Sequence, residues 1–254
     1  MSEADKHAIE GKIAELISQH TVREALAYLA DALPGGAVIY LVGGAIRNLT
    51  IEFFHHRRLS TDDIDLFVGG VAEDIHLAEI FPEERFVSTD LGGVRWKPAG
   101  SAYDIDICLL KDFIIIKKYR LDPRLENLLD SLDFTMNTVA FDIRSRRLHE
   151  SNALADIQKQ VMVFNTLRLY TKTTIAYRTL VLRHKTGFTL SQDVFDFVKK
   201  AIDLDTLMAV KQILNTRFGK NRMQAILDDY DGICSFGSFD DYRRHAAETM
   251  AGEA

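Results

Sequence analysis

Ala37-Val-Ile-Tyr-Leu-Val-Gly-Gly-Ala-Ile-Arg-Asn48 is the stretch on which the reading of the fold turns. Ala37 to Val42 is continuous rather than alternating in its hydrophobicity, the pattern of a strand buried on both faces. Gly43-Gly44 follows at once, and Ala45 to Phe54 has helical spacing. A strand that turns on two glycines into a helix leaves backbone N–H groups at the helix start with no side chain in front of them, so a phosphate can approach closely. A polar stretch, His55 to Asp62, then leads to a second strand, Asp63-Ile-Asp-Leu-Phe-Val68, closed by Gly69-Gly70.

Outward from this centre the pattern stays that of a folded chain. Upstream, apolar residues recur at three- and four-residue intervals from His7 to Leu33, an amphipathic helix that Pro34-Gly35-Gly36 terminates. Downstream, Val71 to Ile80 reads as a helix, and Arg85 to Ser88, Gly93 to Trp96 and Tyr103 to Leu110 read as further strands. The first half is therefore an α/β or α+β module with a sheet of about five strands. From Asp156 the chain becomes helical, with segments at Thr171–Lys185, Asp193–Ile202, Asp205–Leu214 and Asn221–Tyr230, and with Ser191 a candidate N-cap ahead of Val194. No internal repeat interrupts this order.

The carboxylates carry the chemistry. Residues two apart on a strand point to the same side, so Asp63 and Asp65 present two negative charges together. Their repulsion is relieved by a hard cation, and Mg²⁺ binds through one or two carboxylates plus substrate phosphates. Asp104 and Asp106 repeat the spacing on a later strand, so either one would complete a site for two ions, one acting on an acceptor oxygen and one on a leaving pyrophosphate. Arg47, inside the first turn after the glycines, is placed to reach the same phosphates. Taken singly, an Asp-x-Asp is more often a solvated strand end, a Gly-Gly pair a turn, and a helix arginine a surface charge. Their succession is what carries information.

Composition narrows the partners. The 254 residues carry 31 Lys and Arg against 37 Asp and Glu, a formal charge of −6, so any nucleic-acid contact has to be local rather than spread over the surface. His55-His-Arg-Arg58, Lys117-Lys-Tyr-Arg120 and Arg144-Ser-Arg-Arg147 are the clusters available for an acceptor's phosphates, although such runs are usually solvated faces. Cys108 and Cys234 have neither a disulfide framework nor a zinc spacing, which points to a reducing cytoplasm. No segment approaches the ~18 apolar residues of a membrane span, and Met1 to Gln19 lacks a signal-peptide core. Trp96 and Cys108 lie in apolar strands and read as core.

Leu41-Val-Gly-Gly-Ala-Ile-Arg-Asn48, Asp63-Ile-Asp65 and Asp133-Phe-Thr-Met-Asn137, in that order, resemble the head of the class II tRNA nucleotidyltransferase and bacterial poly(A) polymerase family, whose members carry Gly-Gly-x-x-Arg-Asp, Asp-x-Asp and Arg-Arg-Asp-Phe-Thr-x-Asn. Ala155 to Phe164 resembles the family's link from head to neck, and Tyr177 to Phe188 its neck helix; the likeness covers residues 37 to 190. It implies an α+β fold, with a polymerase-β-like nucleotidyltransferase head over residues 1–150 and a helical neck module over 151–254. It also implies transfer of NMP from an NTP to an acceptor, with release of pyrophosphate. Residue by residue, it implies that Asp63 and Asp65 bind metal, with Asp106 as the third carboxylate and Asp104 its competitor. It further implies that Gly43, Gly44 and Arg47 bind phosphate, and that Asp133, Asn137 and Arg178 contact the nucleotide. The implied cofactor is Mg²⁺, two ions, with Mn²⁺ as substitute; the implied partners are an NTP and an acceptor that is an RNA 3′ end, a small molecule or a protein.

The chain departs from the family at several of these positions. Asn48 replaces an Asp, Ser131-Leu132 replace the Arg pair, and Lys111 stands where an Arg closes the third-carboxylate strand. Thr171, Lys172 and Ile175 fall where Glu-Asp-x-x-Arg would read a base edge, which argues against templated CCA addition. These losses also support a competing expectation: a catalytically inactive binding module that keeps the fold and regulates a partner.

Overall fold

The computed structural model describes residues 2–80, 86–89, 92–97, 103–167 and 170–252. They form two compact units, Met1–Gln158 and Lys159–Ala254.

The first unit opens with α1 (Glu3–Ser18) and α2 (His20–Ala32). Ser2 and Asp5 cap α1 reciprocally, each side chain accepting from the other's backbone N–H. The single amphipathic helix expected over His7–Leu33 is thus two helices, because Gln19 takes an extended conformation (φ −61°, ψ 140°) between them. The break lets both apolar faces reach one core, where Ile9, Ile13, Val22, Ala25 and Leu29 are all fully buried.

Next come β1 (Val38–Val42), α3 (Gly44–His55), β2 (Asp63–Gly69), the short α4 (Leu77–Ile80), β3 (Phe86–Ser88), β4 (Val94–Trp96) and β5 (Asp104–Leu109). After α5 (Ile114–Tyr119) and α6 (Leu125–Leu129), a hairpin of β6 (Val139–Asp142) and β7 (Arg147–Glu150) leads to α7 (Ala153–Gln158). The helix expected over Val71–Ile80 shrinks to its last turn, and one reason is visible: the Glu73 carbonyl accepts from Lys111 Nζ at 2.6 Å instead of serving a helix. Arg85, part of an expected strand, lies outside the described residues.

Among the described residues seven strands, where about five were expected, form the sheet, in the order β3-β4-β5-β2-β1-β6-β7. The two extra strands are the β6–β7 hairpin, whose apolar runs are too short to stand out from the sequence. Among the described residues of this sheet, β2 and β5 pair in parallel and the other neighbours are antiparallel. Alternation then assigns the faces. Ile64, Leu66 and Val68 of β2 and Ile105, Ile107 and Leu109 of β5 point into the core shared with α1, α2 and α3. Their alternate neighbours, Asp63, Asp65 and Phe67 on β2 and Asp104, Asp106 and Cys108 on β5, lie on the opposite face.

The second unit has a parallel pair, β8 (Val161–Met162) and β9 (Thr189–Leu190), around α8 (Lys172–Thr186). It continues through α9 (Gln192–Asp196), which runs on as a wider π-type turn over Phe197–Ala201, then α10 (Leu204–Arg217), α11 (Lys220–Ser235) and α12 (Phe239–Gly252). Thr171 caps α8, and Gly187 closes it in the left-handed conformation (φ 64°). Ser191 sits at the N-cap of α9, yet its side chain makes no capping hydrogen bond. Among the described residues no helix is long and apolar enough to cross a membrane.

Candidate metal and nucleotide site

Strand register builds an acidic cluster in the middle of the sheet. Because β2 and β5 run parallel with Asp63 opposite Asp104 and Asp65 opposite Asp106, four carboxylates share one face. Of these, Asp63, Asp65 and Asp106 each offer an oxygen within 4.8 Å of the others. Asp104, the competitor for the third place, is instead drawn to Lys97, whose Nζ lies 3.1 Å from Asp104 Oδ1 in an ion pair without hydrogen-bond alignment. At such separations each carboxylate pair repels by about 3 kcal/mol at an effective dielectric near 20, less where solvent screens it. An all-oxygen donor set of this charge fits a hard divalent cation. Cys108, two residues beyond Asp106, offers no thiolate: burial first, then the nearby Asp112 carboxylate, pushes its thiol up to about 12.

The glycine turn is beside the cluster for a topological reason. β1 runs antiparallel to β2 with Val42 opposite Asp65, so the chain leaves β1 at Gly43 alongside the start of β2. Gly43 has φ 73° and ψ −117°, a conformation strained for any residue with a Cβ. Its N–H donates to Val139 O at 2.9 Å, tying the turn to β6, and its carbonyl accepts from Arg47 N. The amides at the start of the 12-residue α3 therefore begin next to the acids.

Behind the turn lies a buried polar chain. Arg47 is 5% exposed: Nη1 donates to Asn137 Oδ1 at 2.7 Å, while Nε and Nη2 share Asn48 Oδ1 at 3.2 and 3.0 Å. Asn137 Nδ2 donates to Asp133 Oδ1 at 2.9 Å, and the same oxygen accepts from Phe134 N. Asn48 Nδ2 donates to Ser60 O and Thr61 Oγ1, fastening the segment that leads into Asp63. Asn48 thus both accepts and donates, and a carboxylate there would have no N–H for Ser60 O. Arg47, Asp133 and Asn137 are brought together inside the protein, with Arg47 holding Asn137 rather than facing solvent.

The other departures acquire structural roles. Ser131 Oγ donates to Asn127 O at the end of α6, and Thr135 Oγ1 donates to Asp156 Oδ2 at 2.6 Å, locking the Asp133–Asn137 turn onto α7. In the second unit, Thr171 is a helix cap, Lys172 pairs with Asp203, and Ile175 is 2% exposed in the core of that unit. Arg178 stands half-buried on α8.

One residue of the site escaped sequence reasoning. Arg95, from β4, lies opposite Asp106 and grips it with both arms of its guanidinium, Nε to Oδ1 at 2.7 Å and Nη2 to Oδ2 at 2.5 Å. The hydrogen bonds that Arg95 donates to Asp106 raise the arginine's pKa above its ordinary value; burial opposes this, and the charges of Asp106, Asp104 and Asp63 add to it. The only signal in the sequence was an alternation, Arg95 and Lys97 on a strand adjoining Asp104 and Asp106.

A mixed sheet with an acid pair beside a glycine turn, followed by a helical unit, is the head-and-neck fold of the CCA-adding nucleotidyltransferases. No protein-family model matches the sequence, and no curated protein matches it. Among solved structures the chain is similar to a tRNA-processing enzyme with CTP (18% identity, TM-score 0.55, 81% of this chain and 55% of that one). It is similar also to a CCA-adding enzyme with ATP (18%, 0.55, 87% and 50%) and to the Bacillus stearothermophilus CCA-adding enzyme in complex with CTP (20%, 0.52, 84% and 49%). The chain spans about half the length of these proteins.

Proposed function

We propose that this chain is a metal-dependent nucleotidyltransferase that moves NMP from an NTP to an acceptor hydroxyl or phosphate and releases pyrophosphate. The observation that carries the reading is the convergence of Asp63, Asp65 and Asp106 within 4.8 Å, next to the Gly43-Gly44 turn. Divalent ions held by those oxygens, Mg²⁺ or Mn²⁺, would neutralise the triphosphate and favour attack by the acceptor oxygen. Gly43, Gly44 and the first amides of α3 would cradle the phosphates. Arg47, Asn137 and Asp133 would keep that turn and the Asp63 strand in register, with Asp133 and Asn137 the proposed nucleotide contacts. That the shared fold occurs in structures with CTP and ATP supports NTP as the donor.

The acceptor is an RNA 3′ end, a small molecule or a protein. Capping by Thr171, pairing of Lys172 and burial of Ile175 leave the expected base-reading positions without the carboxylate and guanidinium of a templating site, so CCA addition is not the reading we favour. Cys108 and Cys234, whose spacing gives neither a disulfide framework nor a zinc site, accord with the cytoplasm as the compartment. A second reading, a non-catalytic binding module, draws on one observation: Asp106 is already held by Arg95.

Incubation with each α-labelled NTP and separate RNA, protein and small-molecule fractions tests both readings. The enzyme reading expects label in one fraction, dependent on Mg²⁺ or Mn²⁺ and absent with Asp63→Asn/Asp65→Asn. Metal-dependent NTP binding by calorimetry without transfer to any fraction would favour the binding module instead.

A further inference from the structure

The polar face of β4, β5 and β2 is a two-rung charge ladder. One rung runs Arg95, Asp106, Asp65 and the other Lys97, Asp104, Asp63, as the antiparallel and parallel registers dictate. Each acid of β5 therefore has a cation supplied by the β4 segment: Arg95 forked on Asp106, and Lys97 against Asp104. The strands approach closely at Gly93, where a Cβ would clash with Ile107 O, and the antiparallel ladder sets Arg95 opposite Asp106. Asp106 is the third carboxylate of the acidic cluster, and both of its oxygens are engaged by Arg95.

We infer that Arg95 is a built-in counter-ion that competes with divalent metal for Asp106 and so sets the ion affinity of the site. The inference rests on the reading of Asp63, Asp65 and Asp106 as a metal site. Arg95 occupies one lone-pair direction on each Asp106 oxygen and offsets its charge, so an ion shared with Asp65 meets a weaker, already oriented carboxylate and is held best when the fork loosens. A bidentate arginine–carboxylate pair is among the stronger side-chain contacts, and its planar fork matches both oxygens. Here the Arg95 side chain is 46% exposed, so solvent can receive the released head, which makes the competition reversible. A neutral side chain at position 95 leaves Asp106 free to ligate and also removes one positive charge from the edge of the acidic cluster, which raises its demand for a cation. Both effects act in the same direction, toward tighter metal binding. A role confined to pinning β4 onto β5 predicts no such gain.

Titration of the 254-residue chain with Mn²⁺, followed by the electron paramagnetic resonance of the free ion and without nucleotide, reads the affinity directly. Arg95→Gln is expected to bind Mn²⁺ roughly tenfold more tightly than the unaltered protein. Arg95→Lys, which keeps the charge but loses the fork, is expected to fall between them and serves if the glutamine variant does not fold. In an Asp106→Asn background the Arg95→Gln gain should vanish, because the competition has lost its object. Equal or weaker Mn²⁺ affinity in Arg95→Gln and Arg95→Lys, with Asp63→Asn/Asp65→Asn abolishing binding, would overturn the inference while leaving the metal site standing. Absence of Mn²⁺ binding in every form would overturn both.

Discussion

Asp65→Asn is expected to lower nucleotidyl transfer on the order of 10³-fold at saturating Mg²⁺, while leaving the far-ultraviolet circular dichroism and melting temperature close to those of the unaltered protein. Such a loss corresponds to about 4 kcal/mol of transition-state stabilisation, the several kcal/mol that a correctly placed divalent ion supplies to phosphoryl chemistry. Asp65 lies between Val42 of β1 and Asp106 of β5, so it is the acid nearest both the glycine turn and the third carboxylate. The amide keeps its size and one oxygen, and removes a negative charge from a crowded cluster, so the fold should lose little. Steady-state rates with a labelled NTP check the first half and thermal melts the second. A variant that melts far below the parent would show that the acids are structural, and a fully active one that they do not hold the reacting metal.

The second large effect concerns stability. Asn137→Ala is expected to cost about 2–4 kcal/mol of unfolding free energy, because it removes at once the acceptor for Arg47 Nη1 and a donor to the fully buried Asp133. The deletion also leaves a small cavity in a region that is 4% exposed. Denaturant unfolding followed by fluorescence measures it. Since Arg47 connects through Asn48 to Ser60 and Thr61, the damage should spread to the start of β2, and Mn²⁺ affinity should fall together with stability. A variant of unchanged stability would mean that Arg47 satisfies its donors without Asn137.

Much of this was readable beforehand, for specific reasons. The buried run Ala37–Val42, the glycines after it and the Asp-x-Asp spacing are local signals, and local signals specify β1, α3 and β2. Periodicity likewise marked α8, α10 and α11, although it could not foresee that α11 runs on to Ser235 or that α12 follows. What stayed hidden depends on strands meeting. Nothing near Asp106 in the chain announces that Asp65 sits beside it in parallel register, or that Arg95 faces it from the other side. The choice between Asp104 and Asp106 is hidden for the same reason, since it turns on the parallel register that sets Asp106 opposite Asp65. Arg47 illustrates a subtler limit. Its spacing from the glycines suggests a phosphate ligand, whereas its partners, separated from it by as many as 90 residues, show a buried brace. Asn48 and Ser131, which count as losses against a family pattern, serve as donors in this chain's own hydrogen-bond network.

Crystals of the protein grown with Mn²⁺ and a non-hydrolysable NTP analogue, measured at the manganese absorption edge, probe the account where it is most exposed. It predicts anomalous peaks at roughly 2.0–2.3 Å from carboxylate oxygens of Asp63 and Asp65, with the triphosphate lying between those peaks and the amides that follow Gly43. Manganese and nucleotide bound elsewhere, with the two aspartates making no contact to either, would contradict it.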